Sequence, residues 1–192
     1  DGLAWNVTQE ALGDTPADPE IAGLVGETLA RHLTAEEREI VGQSSRDLGP
    51  GDVPRFVVEA ARAATQADAA MVGATTFGAG LPAGPVTRFA FDACVRFDGP
   101  LFTAEVDGAW LRRLVARSNQ GPDTPWEKRS GENLVTVAPA VIEDQVRYRF
   151  VTTDWVARNA ASYLGDNAPT LVPHPSAKLK SAALAALRSR EK

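Results

Sequence analysis

"ADAAMVGATTFGAGLPAGPVT", residues 67–87, decides how this chain is read. Ala69, Ala70, Met71 and Val72 form a short apolar run with no helical spacing, which predicts a small buried strand over "ADAAMVG". It runs into "ATTFGAG", where Thr75, Thr76 and Phe77 are bracketed by small residues. Such a stretch either reverses the chain or presents two hydroxyls and a ring to something bound.

Upstream, "DPEIAGLVGETLARHLTAEERE" (18–39) predicts a helix. Asp18 suits the N-cap and Pro19 the first turn, and Ile21, Leu24, Val25, Leu29 and His32 share one stripe. His32 on that stripe reads as a packed core or edge histidine rather than a ligand. "REIVGQS" predicts a strand near 39–44, "GPGD" (49–52) a turn, and "VPRFVVEAARAATQ" (53–66) a helix with Phe56, Val57, Ala60, Ala61 and Ala64 inward. Residues 1–17 mix Gly, Asp, Thr and Pro and read as a linker.

Downstream, Thr87 caps a short helix, "RFAFDAC". "GPLFTAEVDG" (99–108) alternates in the period of two that marks a strand. "GAWLRRLVARSN" is a helix with Leu111, Leu114 and Val115 inward, and Trp110 reads as packing. Residues 120–132 are polar and rich in Pro and Gly, a surface loop in which Trp126 covers an edge or a partner surface. "NLVTVAP" and "VRYRFVTT" are strands, and "DWVARNAASYLG" is a short helix or turn with Asp154 at its cap and Gly165 at its close. His174 falls in a Pro-flanked loop, "VPHPS". Ser176 is expected to cap a final Ala/Leu/Lys helix. The fold class is α+β, with helices 18–37, 53–66 and 108–118 packed on a mixed sheet.

Composition narrows the function. The 192 residues suit one domain with appendages, and 44% hydrophobic content with 23% charged residues is ordinary for a globular protein. A net charge of -5 argues against a broad nucleic-acid-binding face. No apolar run approaches the length needed to span a bilayer. The single cysteine, Cys94, forms no internal disulfide and reads as a buried thiol. Two isolated histidines do not supply a dinuclear metal site, and neither has the context of a catalytic triad. No catalytic residue and no metal ligand is assigned to this chain.

Three segments in order, "ADAAMVGATTFGAGLPAGPVT", "VRFDGPLFTAEVDGAWLRRLV" and "VRYRFVTTDWVARNAASYLG", resemble the C-terminal domain of the 5'-nucleotidase family, which includes UDP-sugar hydrolases and cyclic-nucleotide phosphodiesterases. The resemblance covers about residues 18 to 165, with "LPAGPVT" and "EVDGAWLRRL" its closest matches. It implies a substrate-specificity domain over 18–192, preceded by the linker of a missing N-terminal metallophosphoesterase domain. That domain would carry the divalent metals and the catalytic histidine; this chain holds no cofactor of its own. The implied partners are a nucleotide-like small molecule and that N-terminal domain, with no nucleic acid. The implied setting is bacterial, periplasmic or secreted, in nucleotide catabolism.

Transferred residue by residue, the resemblance places Phe97 where the family stacks a ring on the nucleobase, and Trp155 where it has its second aromatic. Thr75, Thr76 and Phe77 occupy the ligand-facing turn, with Gly73 in place of an asparagine and Gly78 in place of an arginine. Gly99 replaces another asparagine, and Ala161 replaces an acid. Arg96 is expected to restore positive charge, and Arg96, Asp98, Asp154 and Asn159 complete the candidate contacts. Phe97 and Trp155 are expected to face each other across a cleft rimmed by Thr75, Thr76, Arg96 and Asn159. The alternative is a non-catalytic interaction module with a degenerate nucleotide site.

Overall fold

The computed structural model describes Pro16 and residues 18–118, 134–165 and 167–189. The expected loop 120–132, its Trp126 and all of the expected linker 1–17 but Pro16 lie outside the described residues. The chain falls into two compact units, Asp1–Ala35 and Glu36–Lys192.

The described part of the first unit is dominated by α1 (Pro19–His32). Asp18 caps it as its sequence predicts, Oδ1 accepting from the N–H of Glu20 at 2.9 Å and of Ile21 at 3.2 Å. Two expectations fail here. The helix stops at His32, well before residue 39, and it buries no residue: Ile21, Leu24 and Val25 are 58%, 61% and 50% exposed. His32 is exposed too, so it is not a packed histidine. An apolar stripe predicts that a helix is amphipathic and leaves open what covers it. The residues after the helix serve another purpose. Glu39 reaches Arg88 at 3.2 Å, and the carbonyls of Glu39 and Glu37 accept from the N–H groups of Arg88 and Phe89.

In the second unit the elements are β1 (Ile40–Ser44), α2 (Asp52–Thr65), β2 (Ala69–Gly73), β3 (Gly84–Thr87), α3 (Arg88–Cys94), β4 (Pro100–Asp107), α4 (Gly108–Arg117), β5 (Leu134–Val137), β6 (Arg147–Thr153), α5 (Asp154–Arg158), α6 (Ala160–Leu164), β7 (Val172–Lys178) and α7 (Leu179–Ser189). A five-stranded sheet has the order β5-β2-β6-β4-β7. Only the β2–β6 pairing is parallel, so the sheet is mixed. This is the α+β architecture expected.

Strand β2, flanked by β5 and β6, is buried along its whole length, which explains its unbroken apolar run. Helices α2 and α7 pack on one face of the sheet, where Val57, Val151, Leu179 and Leu187 share a core. On the other face Trp110 and Leu111 of α4 and Val156 of α5 pack with Met71 and Phe150. Trp110 meets Phe150 edge-on, with centroids 5.3 Å apart, and its indole N–H donates to the Asn167 carbonyl at 3.1 Å.

Two segments differ from expectation. β1 does not join the large sheet; it pairs antiparallel with β3. Gly42 of β1 lies under Leu187 of α7, whose Cβ is 2.9 Å from where a Gly42 side chain would begin. The "VPHPS" segment is a strand rather than a loop. β7 pairs with β4 at the sheet edge, the position in a sheet that tolerates prolines. Ser176 therefore caps nothing: it belongs to β7, and its N–H and that of Ala177 turn toward Nδ1 of His174. The donor-satisfying oxygen for α7 comes from Asp98, 82 positions away, whose Oδ1 accepts from the Lys180 N–H at 3.0 Å.

Candidate functional site

Strand β2 ends at Gly73 and delivers a 3-10 turn, Ala74–Thr76. Phe77 follows as an isolated bridge partner of Val95, and its ring is buried. The N–H of Gly78 bonds to the Cys94 carbonyl at 3.0 Å, pressing the turn onto the end of α3. A Cβ on Gly78 would overlap the Ala93 carbonyl oxygen, so no side chain fits there. Where the resemblance calls for an arginine, the backbone has moved in.

Arg96 fills part of this role differently. Its guanidinium donates to the carbonyls of Thr75 at 3.0 Å and Phe77 at 2.8 Å, clamping the turn. Its backbone N–H donates to the Thr76 carbonyl.

Beside the turn opens a cleft of about 550 Å³. Thr75 and Thr76 form one wall; Phe97, Asp98 and Gly99 form a second, from the segment that enters β4. The C-terminal end of β6 and the start of α5 contribute Thr153, Asp154 and Trp155, while Tyr163 of α6 and Leu179 of α7 complete the lining. Phe97 and Trp155 thus line the same cleft, and they are 61% and 60% exposed. Phe77, Arg96 and Asn159 are not among the lining residues: Phe77 is core, Arg96 holds carbonyls, and Asn159 donates from Nδ2 to the Trp155 carbonyl at 2.8 Å.

Sequence reasoning missed Thr153, Tyr163 and Leu179. Tyr163 accepts a hydrogen bond from the Trp155 indole Nε1 at 3.0 Å. The spacing of eight residues carries no helical signal because Asn159 breaks the segment into α5 and α6. Thr153 rather than Asp154 caps α5, its hydroxyl accepting from the Val156 N–H at 3.4 Å. Gly165 closes α6 at φ 83°, a left-handed conformation that glycine adopts without a Cβ penalty.

The electrostatics of the lining are acidic. Asp98 and Asp154 are its charged side chains among the described residues, and α5 has only five residues, with its first turn occupied by the Asp154 carboxylate. That carboxylate lies against Gly99: a Cβ there would sit 2.9 Å from Asp154 Cγ. Among the described residues no group of three or more His, Cys, Asp or Glu side chains is placed to hold a metal ion. Cys94 is fully buried, and desolvation pushes its thiol up to about 11.

Residues 30–164, more than half of the chain, match the family described as 5'-nucleotidase, C-terminal domain. The chain belongs to the 5'-nucleotidase C-terminal domain family. Its fold agrees with solved nucleotidases. A 5'-nucleotidase precursor from Thermus thermophilus superposes with a TM-score of 0.65 at 13% identity, over 89% of this chain and 40% of that one. The 5'-nucleotidase from Candida albicans gives 0.61 at 9% identity, over 88% and 43%. The NAD nucleotidase of Haemophilus influenzae gives 0.55 at 16% identity, over 90% and 39%. No curated protein sequence matches the chain. The chain spans about 40% of the length of the Thermus relative, so this family domain is one part of a larger architecture there.

Proposed function

We propose that this family member is the substrate-recognition domain of a two-domain 5'-nucleotidase-like metallophosphoesterase, and that the Phe97–Trp155 cleft receives the flat ring of a nucleotide-like ligand. One observation carries the reading: two large aromatic side chains, 61% and 60% exposed, line a single cleft of about 550 Å³. Leaving such rings in water forfeits on the order of 1.5–3 kcal/mol apiece of burial energy, which ring stacking on a ligand recovers. The metal-bearing hydrolytic chemistry belongs to a metallophosphoesterase domain not included in these residues, in a periplasmic or secreted protein. Thr75, Thr76, Asp98 and Asp154 supply hydrogen-bonding groups around the ring.

A second reading, an interaction module whose nucleotide site has eroded, draws on Gly78 and Arg96. No side chain fits at Gly78, and the Arg96 guanidinium is engaged by the Thr75 and Phe77 carbonyls. Titration with adenosine separates the two. The Trp155 indole N–H resonance, identified by its loss in Trp155→Phe, is expected to shift with an affinity in the high micromolar range or weaker, as about 5 kcal/mol of stacking allows. An unmoved resonance up to about 10 mM adenosine favours the interaction module. The 192-residue chain is expected to hydrolyse no phosphate ester, with or without added divalent metal. Metal-dependent turnover above a contaminant control overturns that expectation.

A further inference from the structure

The residues around the proposed ring site carry an electrostatic signature that is not that of a phosphate binder. Phe97, Trp155 and Tyr163 present three aromatic side chains to one cleft, and the charged side chains in its lining are the carboxylates of Asp98 and Asp154. Among the described residues no lysine, arginine or histidine lines it.

The neighbouring cations do not cancel this arrangement. Arg96 points its guanidinium at the carbonyls of Thr75 and Phe77. Lys180 pairs through Nζ with Asp92 at 2.5 Å, and only its backbone N–H meets Asp98. Arg158 reaches Asp154 Oδ2 at 3.0 Å, with its own side chain 73% exposed and that of Asp154 20%, so this pair offsets part of the Asp154 charge, while Asp98 meets a backbone N–H. Each carboxylate retains acceptor capacity beyond its single bond, because an ionised carboxylate has about four lone-pair sites.

Aromatic faces carry negative quadrupole density and attract cations, and carboxylates beside them reinforce the attraction. The Trp155–Tyr163 bond sharpens the site: the indole proton is engaged by the phenol oxygen, and the phenol proton remains free to donate.

We infer that the cleft selects its ring by charge, taking a cationic heteroaromatic ring such as an N-alkylated pyridinium in preference to a neutral one, and rejecting a ring that carries a negative charge. The inference rests on the ring-binding reading proposed above and deepens it. A phosphate attached to such a ligand lies outside the cleft, away from Asp98 and Asp154.

One charge series on a constant ring tests it: N-methylnicotinamide (cation), nicotinamide (neutral) and nicotinate (anion). Each is titrated into the 192-residue chain at low ionic strength while the Trp155 indole resonance is followed, with adenosine alongside. The expected order is cation, neutral, anion, with about tenfold between the extremes, narrowing as salt screens the carboxylates. Asp154→Asn is expected to compress the series to about threefold with an unchanged melting temperature. If that variant melts early, Asp98→Asn provides the same reading. Nicotinate binding as tightly as N-methylnicotinamide, or a series unmoved by salt and by both variants, overturns the charge inference. If adenosine still shifts Trp155 in that case, ring binding stands and only the charge selection falls. If neither adenosine nor any member of the series shifts it, the ring-binding reading falls as well.

Discussion

The indole Nε1 of Trp155 donates to the hydroxyl oxygen of Tyr163 across 3.0 Å, and both side chains line the same cleft. This bond ties α5 to α6 and fixes the plane of an otherwise exposed ring. Tyr163→Phe removes the acceptor while keeping the aromatic face. Because the bond is solvent-accessible, stability is expected to fall by less than about 1 kcal/mol. Adenosine affinity is expected to fall about threefold as the Trp155 ring loses its tether, and Trp155→Ala is expected to weaken it about tenfold or more. Indole-resonance titrations of the parent and Tyr163→Phe measure the first effect, and calorimetric titration of Trp155→Ala measures the second.

Gly78 is the position where family resemblance and packing conflict. Its Cβ would overlap the Ala93 carbonyl oxygen and lie 3.3 Å from Arg96 Cδ. Installing the resembled residue by Gly78→Arg is therefore expected to destabilise the domain by about 2–3 kcal/mol rather than restore a ligand contact. Gly78→Ala should show most of the same loss, since backbone rather than a flexible side chain blocks the space. Urea unfolding of the two variants decides this, and an Arg variant as stable as the parent would contradict the packing.

Cys94 is fully buried, and its thiol is pushed up to about 11 by desolvation, from an ordinary value of 9.0. The folded state thus holds the proton more tightly than the unfolded state. The associated stability is complete below pH 9 and is lost as pH rises toward 11, because the unfolded chain ionises its thiol first. The loss is on the order of 2 kcal/mol at the alkaline end. Comparing the stability of Cys94→Ala with the parent between pH 8 and about 11 isolates it from other titrating groups, and the same burial predicts slow reaction with thiol reagents at about pH 8.

Helix α1 buries none of its residues although its stripe is apolar. The substitution Ile21→Ser combined with Leu24→Ser and Val25→Ser is expected to leave the melting temperature of the chain within about 2 °C of the parent. By contrast Phe150→Ala, at a ring that is 0% exposed, should cost about 3–5 kcal/mol. A large effect from the triple substitution would mean that the stripe is covered.

Much of this protein is legible without coordinates where a local signal is strong. The apolar run of β2, the alternation of β4, the capping Asp18 and the turn glycine Gly165 each act through neighbours a few residues away, so β2 and β4 fall where the pattern puts them, α1 starts at its cap and α6 ends at its glycine. Phe97 and Trp155 are legible by family position, and the structure places both on one cleft.

What only the tertiary structure decided depends on partners distant in the chain. β1 and β3 form a separate ribbon because their hydrogen-bonding partners are each other, a choice no local pattern encodes. β7 is a strand because the edge of β4 accepts it despite its prolines, and the first turn of α7 finds its acceptor in Asp98. Arg96 was expected to offer charge to a ligand; its guanidinium turns instead to two carbonyls created by the conformation of the turn. Composition and pattern determined an α+β domain with few reactive groups. The acidity of the cleft was decided by folding, which placed Asp98 and Asp154 on one lining while engaging Arg96 with carbonyls and Lys180 with Asp92 and leaving Arg158 as a partner of Asp154, because the distance between charges is set by the packing of β4, α5 and α7 and not by their order in the chain.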